Sequence, residues 1–326
     1  MLVLLNPNTS ASFNMAAEEY ILKYFSEDVF MLWQADKTVL IGKNQNTRKE
    51  IDIKYIEDND IRVIRRLSGG GAVYNDLGNT NFAFISTDTG DSFANFKKFT
   101  APILDLLKTL GVPAEFSGRN DLLVDGKKFS GNAQYRHKTR LLHHGTLLFS
   151  SNMEQLGKAL SPDMLKFKSK GIKSVKSRVT NISEHLEANM SVETFMDLAN
   201  EHILKTFPGS KTYTFSQEDL TQIHKIENER FASWDWNFGA SPKYDFMTQE
   251  KFPGGLVEVN LKVKDGIIQN AHFFGDFFSQ EDISIAENAL SNIKHEHQSI
   301  RAALEQLDLN KFFSNISIDE IMQLFD

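Results

Sequence analysis

Arg65-Arg66-Leu67-Ser68-Gly69-Gly70-Gly71-Ala72-Val73-Tyr74 is the stretch that decides how this chain folds. β-branched residues lead into it over 61–66, and the strand pattern returns at 72–74 and again at 81–86. The glycines therefore sit in a loop between two extended segments. They bare their backbone N–H groups and admit a ligand closely, while the two arginines offer fixed donors suited to phosphate or carboxylate. The spacing predicts an anion cradle; the same residues would also make a flexible glycine hairpin with solvated arginines. Neither G-x-x-x-x-G-K-[ST] nor a G-x-G-x-x-G opening a helix is present, so this is not a common nucleotide loop.

Further along, Gly118-Arg119-Asn120-Asp121 leads into a hairpin. Strands are predicted over 121–124 and 127–135 around an Asp125-Gly126 turn, which supplies the positive φ angles of a two-residue connection. Alternation over Lys127-Lys128-Phe129-Ser130-Gly131-Asn132-Ala133 puts Lys128 and Ser130 on one face and Lys127 and Phe129 on the other. An inward lysine needs an anionic partner. On an edge strand both lysines would instead be solvated charges that discourage pairing. His143-His144-Gly145-Thr146 opens a strand over 142–149 and offers a general base or a hydrogen-bonded structural histidine; no H-x-x-x-H spacing supports a metal. Asp121 is the better candidate for Mg²⁺, a hard cation held by oxygen beside substrate phosphates. Lys166, Lys168, Lys170, Lys173, Lys176 and Arg178 form a basic run interrupted by Gly171, either a grip for a nucleotide or acidic partner or a solvated loop.

On either side lie mixed strands and helices. A helix is predicted over 14–25, with Ile21 and Phe25 on one face, then strands at 29–33 and 38–42 and a helix-like stretch at 54–59. Thr100 as N-cap, Pro102 in the first turn and Gly111 as stop delimit another helix. Ser151-x-x-Glu154, Ser191 before 192–207 and Ser216-x-x-Asp219 before 220–231 mark three more. The aromatic stretch Ser233-Trp-Asp-Trp-Asn-Phe-Gly-Ala-Ser-Pro242 lacks either period and reads as a connector. The expected division is therefore 1–245 and 246–326. The second part carries a hairpin (256–263 and 267–274, turning at Asp265-Gly266) and helical segments at 283–293, 300–307 and 318–325. The fold class is α+β.

Composition removes several classes of function. The 326 residues, 41% hydrophobic and 24% charged with 26 phenylalanines, suit a large core and a smaller one, and no apolar run nears the roughly 18–20 residues of a membrane span. A net charge of −7 argues against general affinity for nucleic acid, though it leaves room for a local basic patch. The apolar start breaks at Asn6-Pro7 without a basic leader, so it reads as a first strand and the expected address is the cytoplasm. With no cysteine, disulfides, thiolate metal sites and cysteine nucleophiles are excluded.

Taken in order, Asn14-Met-Ala-Ala-Glu-Glu-Tyr20, Ile41-Gly-Lys-Asn-Gln-Asn46, the glycine stretch with Asp76-Leu-Gly-Asn79, Gly118-Arg-Asn-Asp121, Lys128-Phe-Ser-Gly-Asn-Ala133, His143-His-Gly-Thr-Leu147 and Lys170-Gly-Ile-Lys-Ser-Val-Lys-Ser-Arg-Val-Thr-Asn181 resemble the lipoate–protein ligase A family. The likeness continues into Gly254-Gly-Leu-Val-Glu-Val259 and Phe274-Gly-Asp-Phe277. It implies a catalytic domain of the kind shared with biotin ligases, a mixed, mainly antiparallel sheet flanked by helices, with a small accessory domain. It further implies that ATP and lipoate form lipoyl-AMP with Mg²⁺ present. The acyl group then passes to a lysine of a lipoyl-carrier domain, in 2-oxoacid dehydrogenase E2 subunits or the glycine-cleavage H protein. By resemblance Lys128 is catalytic. Arg66, Gly71, Ala72, Val73, Tyr74, Lys128, Ser174 and Arg178 would hold ATP and the adenylate. Arg65, Ser68, Gly70, Gly71, Asn79, Lys128, His144 and Gly145 would hold lipoate. Related transferases that work through a cysteine thioester are excluded by the absence of cysteine, and the G-R-G-R-x-G-R pattern of biotin ligases is missing. The alternative is a lipoate- or adenylate-binding protein without ligase activity.

Overall fold

The computed structural model describes residues 1–88, 90, 92–160, 178–238, 246–264 and 266–325. Its first strands are β1 (Leu2–Asn6), β2 (Val29–Trp33), β3 (Thr38–Ile41), β4 (Arg62–Arg65), β5 (Val73–Asn75) and β6 (Asn79–Thr87). They are followed by β7 (Ala114–Ser117), β8 (Asp121–Val124), β9 (Lys127–His137), β10 (Arg140–Leu148) and β11 (Lys211–Thr212). Eight of them form one mixed sheet in the order β11-β1-β2-β6-β10-β9-β8-β7. Only β1 pairs in parallel, with β2 and β11; every other pair in this sheet is antiparallel.

All five residues of β2 are buried because both sheet faces are covered. Alternation sends Met31 and Trp33 to the face covered by helices Ala11–Tyr24 and Gln217–Ile226, and Phe30 and Leu32 to the face covered by Phe96–Thr109 and Val192–Thr206. A smaller sheet, β4-β3-β5, leans on this body; β3 is parallel to β4 and antiparallel to β5. The glycine stretch is its β4–β5 connection, as the strand–loop–strand reading predicts.

The C-terminal part has its own sheet, β12 (Phe246–Phe252), β13 (Gly255–Lys264) and β14 (Ile267–Gly275), and its own apolar cluster of Val257, Val259, Leu261, Phe273 and Phe277 against Ile300, Leu304, Ile321 and Leu324. β12 is absent from the sequence expectation. Its polar interior, Met247-Thr-Gln-Glu-Lys251, has no apolar alternation, and pairing with β13 makes it a strand.

Other local corrections have local causes. The helix expected to begin at Thr100 starts a turn earlier, at Phe96, capped by Asn95. Thr100 turns inward and donates to the Phe96 carbonyl at 3.0 Å, which leaves Pro102 inside the helix. Asn152, not Ser151, caps Met153–Ala159, since its carboxamide accepts from Glu154 and Gln155. Trp234–Asn237 is a short helix within the expected connector, and Tyr24 is exposed at the end of Ala11–Tyr24. Of the C-terminal helices, Ser284–Ala289 and Ile318–Met322 are shorter than expected, while His297–Leu304 has the expected length but begins three residues earlier. The Asp125-Gly126 turn has positive φ at both residues; Asp265 lies outside the described residues.

Candidate active site

A cleft of about 560 Å³, part of it open to solvent, lies between the glycine loop and the strands β9 and β10, with Met15, Trp33 and Leu40 as an apolar floor. Neighbouring residues at the end of β4 point to opposite sides. The two arginines there accordingly do different work. Arg66 turns inward and is 5% exposed. Its Nε donates to Ser68 Oγ (3.1 Å), Nη1 to Leu40 O (3.2 Å), and Nη2 to Gly69 O (2.6 Å) and Gly71 O (2.9 Å). The guanidinium thus staples the glycine loop, and four of its five N–H groups are engaged among the described residues. Burial pushes its pKa down to about 10, against the pull of the Glu18 carboxylate, so it remains a cation at neutral pH.

Arg65 faces away from the cleft. Its Nη1 donates to the carbonyls of Gly42 (2.9 Å), Lys43 (2.9 Å) and Gln45 (2.6 Å), Nη2 to Thr47 Oγ1 (2.6 Å), and Nε to Trp236 O (3.0 Å). It fastens the 42–47 loop to the segment that precedes the C-terminal part. That loop backs directly onto the glycine loop: Lys43 N donates to Ser68 O (2.8 Å), and Gly42 lies so close to Gly70 that a Cβ would overlap the Gly70 carbonyl oxygen. Behind Gly69 stand Phe277 and Phe278 of the C-terminal part. Phe278 packs on Phe96 (5.5 Å between rings) and lies under the Arg119 guanidinium (4.6 Å).

A buried polar chain runs behind the floor. Ser68 Oγ meets His144 Nε2 at 2.6 Å, His144 Nδ1 meets Glu18 Oε2 at 2.7 Å, and Trp33 Nε1 donates to Glu18 Oε1 at 3.1 Å. The preceding histidine points to the other sheet face. His143 stacks on Phe99 (4.9 Å), shares a hydrogen bond with Gln134 (3.1 Å), and is held neutral because burial drops its pKa well below the usual range.

Lys128 stands at the mouth, about a third exposed, with its ammonium 2.7 Å from Asp121 Oδ1. Strict alternation along β9 does not hold. The β8–β9 register shifts between Leu122 and Leu123, and this bulge buries both Phe129 and Ser130. Lys128 folds back over Gly131, where a Cβ would come within 3.0 Å of its nitrogen. β9 is not an edge either: it lies between β8 and β10, while Lys128 N donates to Arg178 O (2.9 Å) and Thr180 N to Lys128 O (3.0 Å). The solvated edge-lysine reading is thereby removed. Asn120 and Asn132 brace this end, each carboxamide donating to the other's backbone carbonyl, at 2.5 and 3.0 Å.

Among the described residues no group of three or more His, Asp or Glu could hold a metal ion. One carboxylate beside a phosphate-sized cleft nevertheless suits Mg²⁺, which keeps water and substrate phosphates as most of its ligands. Asp121, the carboxylate expected for this role, stands beside the cleft 2.7 Å from the Lys128 ammonium.

The cleft brings together Arg66, Gly70, Gly71, Ala72, Val73, Lys128, His144 and Gly145, with Ser68 directly behind. Among the described residues, its lining lacks the expected Arg65, Tyr74, Asn79, Asp121 and Arg178. Arg65 is spent on carbonyls. Tyr74 is 1% exposed and donates to Gln155 (2.5 Å), and Asn79 is fully buried on Asn75 (2.5 Å). Arg178 is exposed beside Lys128, and Ser174 lies outside the described residues, as do Lys166, Lys168, Lys170, Lys173 and Lys176. Sequence reasoning missed Glu18, Met15 and Trp33. Met15 and Glu18 are three apart on one helix, a spacing that gave the available signal, but core packing explains it equally well.

Two family models match the chain. The lipoyl protein ligase A/B catalytic domain covers residues 10–204, and the bacterial lipoate protein ligase C-terminus covers 241–325. Lipoate-protein ligase LplJ of Bacillus subtilis is 46% identical over 315 residues, covering 95% of each chain. Lipoate–protein ligase 1 of Staphylococcus aureus is 43% identical over 324 residues, covering 98% of each. Among solved structures, P. falciparum LipL1 in complex with lipoate matches 99% of this chain and 98% of its own with a TM-score of 0.81 at 24% identity, a likeness of fold.

Proposed function

The chain belongs to the lipoate–protein ligase family, and from that premise we propose how its cleft activates lipoate with ATP and passes the lipoyl group to a carrier protein. It is an ATP-dependent ligase, and the alternative of a binding protein without activity is disfavoured at this identity and coverage. One observation carries the assignment of roles: an apolar floor for an acyl chain ends beside a fixed lysine and a glycine loop.

In the first step a lipoate carboxylate oxygen attacks the α-phosphorus of ATP, and pyrophosphate leaves. Negative charge gathers on the α-phosphoryl oxygens, so a preplaced cation and backbone donors lower the barrier. Lys128 supplies the cation, and Gly71, Ala72 and Val73 of the glycine loop line the same space. Arg66 holds the loop in shape and keeps one donor for the ligand. Mg²⁺ would draw on Asp121 and neutralise phosphate charge. In the second step the carrier amine attacks the lipoyl carbonyl; AMP leaves, a proton is released, and an amide forms. Arg178 and Ser174 complete the nucleotide side in this reading, excluding water from the mixed anhydride. The acceptors we propose are the lipoyl domains of 2-oxoacid dehydrogenase E2 subunits and the glycine-cleavage H protein. The division we propose is a catalytic part, 1–245, and an accessory part, 246–326.

Lipoate-dependent ATP–pyrophosphate exchange without a carrier tests the first step. Wild-type protein should exchange, and Lys128→Ala should lose about 10²–10³-fold, the range for one removed transition-state donor. Exchange unchanged in the variant would remove Lys128 from the chemistry.

A further inference from the structure

Two rows of residues cross the large sheet beneath the cleft, on the face that Met31 and Trp33 share. One runs Met31, Ala83, His144, Ala133 from β2 to β9, and its two alanines leave room above the sheet. The next runs Trp33, Asn81, Thr146, Gly131 in the same register, with Gly131 N donating to Thr146 Oγ1 at 3.3 Å. Lys128 folds over Gly131. This second row therefore leads from the lysine to the tryptophan by way of one asparagine.

Asn81 is out of place in an apolar floor. It lines the cleft, yet it is 3% exposed. Its Nδ2 reaches Trp33 O at 3.5 Å, the outer limit of a hydrogen bond, and its Oδ1 accepts from no described residue. Asn14, fully buried on the first helix, shows the usual provision: Nδ2 donates to Asn8 O (2.9 Å) and Gln34 O (2.8 Å), and Oδ1 accepts from Asn6 (2.7 Å). A carboxamide as buried as Asn81 but so poorly paired calls for a partner from whatever fills the cleft.

Distance decides which part of a ligand arrives there. β6 lies two strands from β9, a separation of about 10 Å. An extended acyl chain advances about 1.2 Å per bond, so lipoate with its carboxylate at Lys128 carries its ring about 6–9 Å along the row, over Asn81 and short of Trp33. The ring sulfurs accept weak hydrogen bonds from an amide N–H, and the thiols of the reduced form donate to an amide oxygen. A hydrocarbon tail of the same length does neither.

We infer that Asn81 selects for sulfur in the acyl tail: its carboxamide pairs with the dithiolane and disfavours a hydrocarbon acid, which would cover it and leave it unpaired. This rests on the lipoate-binding reading of the cleft and deepens it. Asn81 sets specificity and takes no part in the chemistry at the carboxylate.

The probe is 5-cyclopentylpentanoate, which keeps the shape and carboxylate of lipoate and has methylenes in place of both sulfurs. Lipoate and this acid are compared by kcat/KM in ATP–pyrophosphate exchange without a carrier, for wild type, Asn81→Leu and Asn81→Val. Wild type should prefer lipoate, and in either variant the preference should shrink about 5–30-fold, the lower part of the range for an unpaired buried group because sulfur is a weak partner. Contact of sulfur with Trp33 is common to all three proteins, and a general loss of stability lowers both rates together, so the ratio reports Asn81. Equal use of the two acids by wild type overturns the inference and leaves the ligase reading standing. A preference that stays within about threefold of wild type in whichever variant folds overturns the assignment to Asn81. Exchange with neither acid in wild type overturns the ligase reading and the inference with it.

Discussion

Replacing Gly42 by alanine asks whether the glycine loop owes its shape to the backbone behind it. A Cβ there would overlap the Gly70 carbonyl oxygen, and would stand 3.0 Å from the Gly70 carbonyl carbon and 3.2 Å from Gln45 Oε1. Two of these three atoms are backbone, so no side chain can swing aside. Restoring ordinary contact of about 3.5 Å requires the loops to part by about 1.5 Å. The Arg66 bonds to Gly69 O (2.6 Å) and Gly71 O (2.9 Å) lie on either side of that carbonyl and would be stretched or lost. Hydrogen bonds to a charged group contribute about 1.5–3 kcal/mol each, so the expected loss of stability is about 2–5 kcal/mol. A misplacement of about 1 Å at groups that position a reacting phosphate costs about 10²-fold in rate. Urea unfolding and lipoate-dependent ATP–pyrophosphate exchange measure the two effects. Gly71→Ala supplies the contrast, since a Cβ there meets nothing within 4 Å and should leave the unfolding midpoint in place. If Gly42→Ala unfolds like wild type and exchanges within about threefold of it, the loop is not held from behind as described.

Arg65→Met should destabilise by about 3 kcal/mol or more in urea, because it removes the donor that ties together the carbonyls of Gly42, Lys43, Gln45 and Trp236, whereas a surface arginine would cost little. Phe278→Ala should lower the melting temperature by loosening the seam against Phe96 and Arg119; the core range for Phe→Ala, about 3–5 kcal/mol, is the upper bound. Stability should also fall between pH 10 and 12. Burial and then the hydrogen bond to Asp219 push Tyr20 up to about 12, and the hydrogen bond to Asp219 followed by burial pushes Tyr213 up to about 12. The folded chain therefore keeps protons that the unfolded chain has given up, and each step upward in pH favours unfolding. Thermal melts followed by circular dichroism from pH 9 to 12 should show the decline, and Tyr20→Phe should shallow it.

Much of this protein was legible in the chain itself. Val29–Trp33 as a strand, the Asp125-Gly126 hairpin, Ser191 and Ser216 as helix caps, and a glycine loop between two strands all follow from short-range rules, in which a residue's own φ preference or hydrogen-bonding side chain acts within a few positions. The candidate cleft was legible in the same measure, since Lys128, the glycines and His144 sit in local motifs. Only the tertiary structure separated Arg65 from Arg66, because what each guanidinium reaches depends on which loops surround the end of β4. Only pairing to β13 could make a strand of Phe246–Phe252, and only the bulge opposite Leu122 and Leu123 could break the alternation at Lys128. Glu18 became visible as a working residue when folding brought it to His144, 126 positions away. Local conformation depends on neighbours in sequence, whereas the partner of a buried charge is whatever the packed chain places beside it, and no spacing within the sequence records that distance.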